Sequence, residues 1–294
     1  MPLIALLLSF FVVQTAPAPL GNLLLSPKAL ADLLPKNTAV VLHVGDRASY
    51  EAGHIPGAQL FELREISEAG GVLRTQMLPV EGLRTAFEAH GVTDTNRIVL
   101  YAARGAQPQS TARVFVALDL LGLADRVSVL DGGLDAWRAE GGVMSAETPK
   151  ISAGTFTPKP RADVIVDLDY VKAHLTDPRI SVVDARTRPY YTGEDTRGFP
   201  RPGHIPGAVN LPFDSLSQTG DSPVMKDATT LRAMFNDAGV KPNTEIVAYC
   251  HIGLQASQVY MAGRMLGLRV KLYDGSFEEW SAREDLPVDK GIKK

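Results

Sequence analysis

A long internal repeat is the feature that most constrains the fold of this 294-residue chain. Three blocks of sequence occur twice and keep the same order. The paired blocks are "AGHIPGAQL" (52–60) with "PGHIPGAVNL" (202–211), "GVTDTNRIVLYAA" (91–103) with "GVKPNTEIVAYCH" (239–251), and "LGLADRVSVLDGGLDAW" (121–137) with "LGLRVKLYDGSFEEW" (266–280). The repeat predicts two copies of one domain, each of about 120–130 residues, which is a common domain size.

Within each copy, short β-branched runs alternate with longer amphipathic stretches. The runs "AVVLHV", "RIVLYA", "RVSVL", "ISVVDA", "EIVAYC" and "RVKLY" predict buried strands, and "VEGLRTAFEAHG" and "ATTLRAMFNDAG" predict helices that end at a C-cap glycine. Continuous apolar strands between helices indicate an α/β fold with two tandem domains, each a mainly parallel sheet with helices on both faces. The predicted boundaries are 24–142 for the first domain, 143–163 for a linker, and 164–290 for the second domain.

Charge and cysteine content exclude several classes of function. The formal net charge is −3 and no long basic run occurs, so we expect no nucleic-acid partner. Cys250 is the only cysteine, which excludes an intramolecular disulfide and a cysteine-rich zinc site. We expect no metal and no cofactor.

The N-terminus predicts export. Residues 1–20 contain an apolar stretch, 2–13, that is too short to span a bilayer and is typical of the central region of a signal peptide. The expected location is therefore the periplasm or another compartment outside the cytoplasm, with a cytoplasmic protein as the alternative. We expect no stable membrane insertion.

Cys250 lies at the edge of the predicted sheet where parallel α/β proteins bind their ligands. The thiol follows a predicted strand, and ligands of such sheets bind beyond the carboxyl ends of the strands. A tight loop and a helix start follow the cysteine, so backbone N–H groups and the helix dipole are expected to surround the sulfur and lower its pKa. The predicted cradle consists of His251, Ile252, Gly253, Leu254, Gln255 and Ala256, with Gly253 allowing positive φ. The alternative is a cysteine that packs as a small buried hydrophobe.

The first copy lacks the cysteine and differs in the stretch that follows it. Ala102 occupies the position of Cys250, and the stretch from Ala102 to Leu121 is three residues longer than the stretch from Cys250 to Leu266. The first domain is therefore predicted to be catalytically silent.

The motifs that carry a family resemblance are "GHIPGA", which occurs twice, "VVDAR", "YCHIGLQAS" and "YDGSFEEW". In these motifs the chain resembles the tandem rhodanese-type sulfurtransferases of the thiosulfate/3-mercaptopyruvate group. The resemblance extends over roughly residues 26–288. It implies that Cys250 takes a sulfane sulfur from thiosulfate, holds it as a persulfide, and passes it to a thiophilic acceptor such as cyanide or a thiol. The alternatives are a 3-mercaptopyruvate sulfurtransferase and a non-enzymatic persulfide carrier or scaffold. The expected partners are thus a small anionic sulfur donor and the acceptor.

The resemblance also assigns roles to the neighbours of the nucleophile. It places a substrate-binding arginine at Arg186, whose planar guanidinium suits a two-point grip on an anion. His251 is a second candidate for substrate binding, because partial positive charge near neutral pH would favour an anion. His54 and His204 occur in both copies and are interpreted as turn-stabilising residues, as are the aspartates of the two "DG" turns, Asp131 and Asp274.

Related phosphatases carry an arginine six positions after the cysteine of this loop. That position holds Ala256 here, so phosphoryl transfer is disfavoured.

Overall fold

The computed structural model describes residues 17–68, 70–71, 73–103, 108–218 and 224–291. Most of the predicted export signal, residues 1–16, lies outside these ranges. Its last residues, 17–20, pack against the second domain: the Leu20 N–H donates to the Arg264 carbonyl at 3.4 Å, and a Cβ on Gly267 would come within 2.9 Å of the Pro17 carbonyl oxygen.

The first domain has a five-stranded sheet in the order β1-β5-β4-β2-β3, and every strand pair is parallel. Its strands are β1 (Leu24–Leu25), β2 (Ala39–Val44), β3 (Gln59–Phe61), β4 (Arg97–Ala102) and β5 (Val127–Leu130). Its helices are α1 (Pro27–Leu33), α2 (Arg47–Glu51), α3 (Val80–Ala89), α4 (Pro108–Leu120) and α5 (Gly133–Ala139).

The second domain repeats this topology, with a parallel sheet in the order β6-β10-β9-β7-β8. Its strands are β6 (Ile165–Val166), β7 (Ile180–Asp184), β8 (Val209–Asn210), β9 (Glu245–Tyr249) and β10 (Val270–Tyr273). Its helices are α6 (Leu168–Ala173), α7 (Arg188–Thr192), α8 (Ala228–Asp237), α9 (Ala256–Met265) and α10 (Ser276–Ala282). The predicted tandem α/β architecture is confirmed.

Side chains alternate across each sheet because strand residues point to opposite faces in turn. In β4, Ile98 and Leu100 pack into a core on one face, whereas Val99 and Tyr101 pack into a separate core on the other. Helices α3 and α4 cover the first face, and α1 and α5 cover the second. The second domain is covered in the same way, with α8 and α9 on one face and α6 and α10 on the other.

The two domains share the core that lies between their sheets. Helices α4 and α9 pack against each other there, and one apolar cluster contains residues of both domains. At its centre, the buried Asp119 carboxylate accepts hydrogen bonds from Arg264 Nε (2.7 Å), Arg161 Nη1 (2.5 Å) and the Tyr260 hydroxyl (2.8 Å). Asp119 and Arg264 occupy equivalent positions in the two copies, so this pair joins the domains across their pseudo-two-fold relation.

The segment that we predicted to be a linker packs along the first domain. The Gly154 N–H donates to the Glu88 carbonyl at 2.8 Å, and the Lys159 N–H donates to the Leu121 carbonyl at 3.0 Å. Phe156 is only 2% exposed and belongs to the shared core. These contacts tie the connection between the domains to α3 and to the end of α4.

Candidate active site

Strand β9 delivers Cys250 into a loop, residues 250–256, that we call the catalytic loop. The N–H groups of Ala256, Ile252 and Gln255 donate to the thiol sulfur, and α9 begins at Ala256. Gly253 has φ +82°, which is the left-handed conformation that glycine adopts at little cost. Three of the six predicted cradle residues thus contact the sulfur through their backbone. A contribution from the N–H groups of His251, Gly253 and Leu254 stays a prediction.

Burial changes the expected acidity of the nucleophile. Cys250 is fully buried, and the loss of hydration raises the pKa of its thiol above the ordinary value. The three backbone donors lower the pKa but do not outweigh burial, and the Asp184 carboxylate raises it further. The backbone donors therefore lower the thiol pKa as expected, but the prediction that they bring it below the ordinary value is wrong.

Ser276 holds the start of the catalytic loop. Its hydroxyl accepts a hydrogen bond from the Cys250 N–H at 3.1 Å and donates to the Tyr273 carbonyl at 2.8 Å. Ser276 has φ +52°, unusual for a residue with a side chain. The equivalent residue of the first copy is Gly133, so the first domain lacks both the thiol and this hydroxyl. Sequence reasoning missed Ser276, although this serine-to-glycine difference between the copies was its signal.

Arg186 lies beside Cys250, but most of its guanidinium is already occupied. Nε contacts both oxygens of Asp184 (2.9 and 3.1 Å), and Nη2 donates to Asp184 Oδ2 (2.5 Å) and to the Gly203 carbonyl (2.7 Å). The side chain is 2% exposed and lies over the Phe277 ring, 4.0 Å from its centroid. A two-point grip through Nε and Nη2 would require this buried ion pair to break, so the predicted grip is not free in this arrangement. Nη1 donates to no described residue.

Asp184 also accepts a hydrogen bond from the Arg186 backbone N–H at 2.9 Å. Its carboxylate therefore fixes both the backbone and the side chain of the arginine.

His251 is buried and neutral. Its ring stacks on Phe199 at 5.3 Å and meets Tyr190 edge-on at 4.7 Å. Loss of hydration, followed by the nearby positive charges of Arg186 and Arg197, lowers the pKa of His251 to about 3. The expectation of partial positive charge near neutral pH is therefore wrong. Both ring nitrogens are buried without a hydrogen-bond partner among the described residues.

The histidines of the two "GHIPGA" turns have the same structural contacts. His204 Nδ1 donates to the Tyr191 carbonyl (2.8 Å), and His54 Nδ1 donates to the Tyr50 carbonyl (2.9 Å). Each ring stacks on the tyrosine whose carbonyl it contacts. These geometries agree with the interpretation of both residues as turn-stabilising.

Within the described ranges, no group of three or more histidine, cysteine or acidic residues is placed to hold a metal ion. None of the helices in that part of the chain is long and apolar enough to cross a membrane.

The fold and the site together define a class: tandem parallel α/β proteins in which one copy presents a cysteine nucleophile in a cradle of backbone N–H groups. The model of the rhodanese-like domain family matches residues 26–140 and again residues 167–283. This chain belongs to the rhodanese family, and it is a sulfurtransferase.

Two curated relatives illustrate the similarity. The 3-mercaptopyruvate sulfurtransferase of Escherichia coli (strain K12) is 30% identical over 243 residues, which span 82% of this chain and 84% of that protein. The thiosulfate sulfurtransferase of Azotobacter vinelandii is 29% identical over 268 residues, spanning 91% and 97%.

A solved structure shares the fold. The anaerobic ergothioneine biosynthesis enzyme from Chlorobium limicola, in complex with trimethyl histidine, has a TM-score of 0.82 at 24% identity and covers 92% of this chain and 71% of its own. At that identity the likeness bears on the fold alone.

Proposed function

We propose that the sulfur donor is thiosulfate. The observation that carries this proposal is the positive charge around the residue after the nucleophile. Arg186, Arg197 and Arg74 all act on His251 with enough strength to lower its pKa. Thiosulfate is a dianion, whereas 3-mercaptopyruvate carries a single carboxylate. Arg186 and Arg74 are paired with Asp184 and Glu278, but the Arg197 guanidinium has no ion pair among the described residues and therefore favours the more highly charged donor.

The reaction has two displacement steps. The Cys250 thiolate attacks the outer sulfur of thiosulfate, a new S–S bond forms, and sulfite leaves with the electron pair of the broken S–S bond. Cyanide or a thiolate then attacks the terminal sulfur of the persulfide, and the Cys250 thiolate leaves. The N–H groups of Ile252, Gln255 and Ala256 stabilise the anionic sulfur in both steps.

Arg186 and His251 have different proposed roles in donor binding. Arg186 offers Nη1 to an oxygen of the donor while Asp184 retains the rest of the guanidinium. His251 is neutral and contributes one N–H donor and one acceptor nitrogen rather than a charge.

The test compares turnover of thiosulfate and 3-mercaptopyruvate with cyanide as the acceptor. We expect a higher kcat/KM for thiosulfate and a steeper loss of that rate with added salt, because its binding depends on more charge. Mass spectrometry of the thiosulfate-treated protein should show one added sulfur atom in the native chain and none in Cys250→Ser. A higher kcat/KM for 3-mercaptopyruvate would contradict the choice of donor but not the persulfide.

The second candidate donor is 3-mercaptopyruvate. It is favoured by the similarity to the relative in E. coli, whose name specifies that substrate. A non-enzymatic persulfide carrier is the remaining alternative. A protein that gains one sulfur but shows no turnover with either donor would be such a carrier.

We further propose that the protein is exported. The apolar stretch of residues 2–13 supports this proposal. N-terminal sequencing of the protein from fractionated cells tests it. Recovery of the chain with an intact N-terminus in the cytoplasmic fraction would contradict it.

A further inference from the structure

The silent first domain contacts the catalytic loop directly. The Thr75 hydroxyl donates to the Ile252 carbonyl at 2.7 Å. The Met77 N–H donates to Asp274 Oδ2 at 2.8 Å, although the sequence indicated only a turn residue at Asp274. Two residues of one short segment of the first domain therefore reach the catalytic loop and the aspartate that follows β10.

Arg113 of α4 joins these contacts from within the core. The side chain is 1% exposed, and Nη2 lies 2.6 Å from Asp274 Oδ1 and donates to the Thr75 carbonyl at 2.6 Å. The contact with Asp274 is an ion pair without hydrogen-bond geometry. Asp274 Oδ1 and the Nε and Nη1 atoms of Arg113 are buried with no hydrogen-bond partner in the described part of the chain. Arg113 is thus a buried cation paired with the carboxylate of Asp274.

This ion pair lies against the turn of the catalytic loop. A Cβ built on Gly253 would come within 2.8 Å of Asp274 Oδ1 and within 3.1 Å of Arg113 Nη1. The glycine that gives the loop its positive φ is therefore in packing contact with both charged groups. A shift of either group would open space behind the loop.

The equivalent place in the silent half has the same hydrogen bond, and no cation of the described residues pairs with its aspartate. Asp131 Oδ1 accepts from the Met225 N–H at 2.9 Å, just as Asp274 accepts from Met77. The residue equivalent to Arg113 is Gln258, and its amide donates to the Ser217 hydroxyl at 3.1 Å. The aspartate contact between domains is thus common to both halves, whereas the helix position behind the aspartate holds an arginine only in the half that carries the cysteine.

We propose that Arg113 is a positioning residue for sulfur transfer, supplied by the silent domain. It fixes Asp274 behind Gly253 and thereby keeps the N–H groups of Ile252, Gln255 and Ala256 directed at the sulfur. Hydrogen-bond donors that are already in position before the reaction stabilise a sulfur anion without having to reorganise. The inference rests on persulfide chemistry at Cys250 and is independent of which donor supplies the sulfur.

The experiment compares two variants of Arg113. Arg113→Gln introduces the residue found at the equivalent position of the second domain, Gln258, and Arg113→Lys keeps the positive charge. Asp131→Asn is the matched control in the silent half. Two rates are measured: alkylation of Cys250 by iodoacetamide as a function of pH, and persulfide formation from thiosulfate by mass spectrometry. Displacement of the reacting groups can lower a reaction rate by about one or two orders of magnitude. Arg113→Gln should therefore slow both rates about tenfold or more and raise the apparent pKa of the Cys250 thiol. Arg113→Lys should recover part of the loss because it keeps the charge, and Asp131→Asn should stay within about twofold of the native protein.

Alkylation and persulfide rates of Arg113→Gln within about twofold of native would overturn the proposal, as would an equal loss in Asp131→Asn. If Arg113→Gln does not fold, the double variant Arg113→Gln/Asp274→Asn removes the unpaired buried charge. That variant should fold and remain slow, and native alkylation in it would overturn the proposal. If thiosulfate fails to load sulfur on the native protein, the proposed donor is wrong, while the alkylation comparison still decides the role of Arg113.

Discussion

Asp184 and Arg186 act on Cys250 with opposite charges. Asp184 raises the pKa of the thiol, and Arg186 neutralises that carboxylate through the Nε and Nη2 groups of its guanidinium. Removing the arginine therefore does more than weaken the binding of a donor. It leaves a buried carboxylate close to a sulfur that must become an anion.

Arg186→Ala should accordingly slow both sulfur transfer and alkylation of the free thiol. The loss of a charge-assisted contact with the donor costs about 1.5–3 kcal/mol, which is roughly 10- to 150-fold in kcat/KM. Arg186→Lys should restore alkylation more than transfer, because an ammonium keeps the charge beside Asp184 but not the geometry of Nη1. Steady-state kinetics and iodoacetamide labelling measure the two effects. Unchanged alkylation in Arg186→Ala would show that the arginine acts on the donor alone.

The raised thiol pKa predicts an alkaline pH dependence. Below its pKa the thiolate fraction rises about tenfold per pH unit, so alkylation of Cys250 should keep rising past the pH at which a cysteine in a short peptide levels off. Labelling between about pH 6 and about pH 10 measures this profile against such a peptide. A plateau already reached at neutral pH would contradict the effect of burial on the thiol pKa.

Ser276→Gly should make the start of the catalytic loop resemble the silent copy. The variant loses the hydroxyl that accepts the Cys250 N–H, and a hydrogen bond of this kind contributes about 0.5–1.5 kcal/mol. We expect kcat/KM to fall by roughly two- to tenfold. Ser215→Ala is a suitable control, because among the described residues the Ser215 hydroxyl donates only to the nearby Pro212 carbonyl. A loss of equal size in both variants would show a general effect of serine substitution.

At the scale of elements, the sequence predicted the central strands well and the edge strands poorly. "AVVLHV" and "RIVLYA" correspond to β2 and β4 residue by residue, because strands buried on both faces are continuous apolar runs. The edge strands β1, β6 and β8 have two residues each, too few for any periodicity to appear. The roles of Ser276 and Arg113 depend on contacts between distant parts of the chain, which sequence spacing does not reveal.

The stretch that follows β4 differs from the catalytic loop in residue type, and its three extra residues lengthen the helix: α4 has 13 residues and α9 has 10. Residues 104–107 lie outside the described ranges. Ala102→Cys should not create a second persulfide site, because the first copy has Gly133 in place of Ser276, whose hydroxyl accepts the Cys250 N–H. Mass spectrometry after thiosulfate treatment should show one added sulfur per chain, on Cys250. Two cyanide-labile sulfur atoms per chain would contradict this reasoning.

At the scale of the whole molecule, stability depends on the charge cluster between the domains. Asp119 accepts hydrogen bonds from two arginines and a tyrosine in the shared core, so neither domain can separate without exposing or unpairing these groups. Removing one member of a buried ion pair costs about 3–5 kcal/mol, because the remaining charge keeps its desolvation penalty. Asp119→Asn should therefore lower the free energy of unfolding by about that amount, as measured by urea denaturation.

Asp163→Asn provides the matched control for this prediction. Asp163 also pairs with Arg161, at 2.8 Å, but its side chain is 57% exposed. An exposed pair contributes at most about 1 kcal/mol, so this variant should unfold close to the native midpoint.

Because α4 carries both Asp119 and Arg113, Asp119→Asn should also slow alkylation of Cys250 if the domain interface transmits strain to the catalytic loop. A large loss of stability with native alkylation would show that α4 holds Arg113 in place even when the central cluster is weakened.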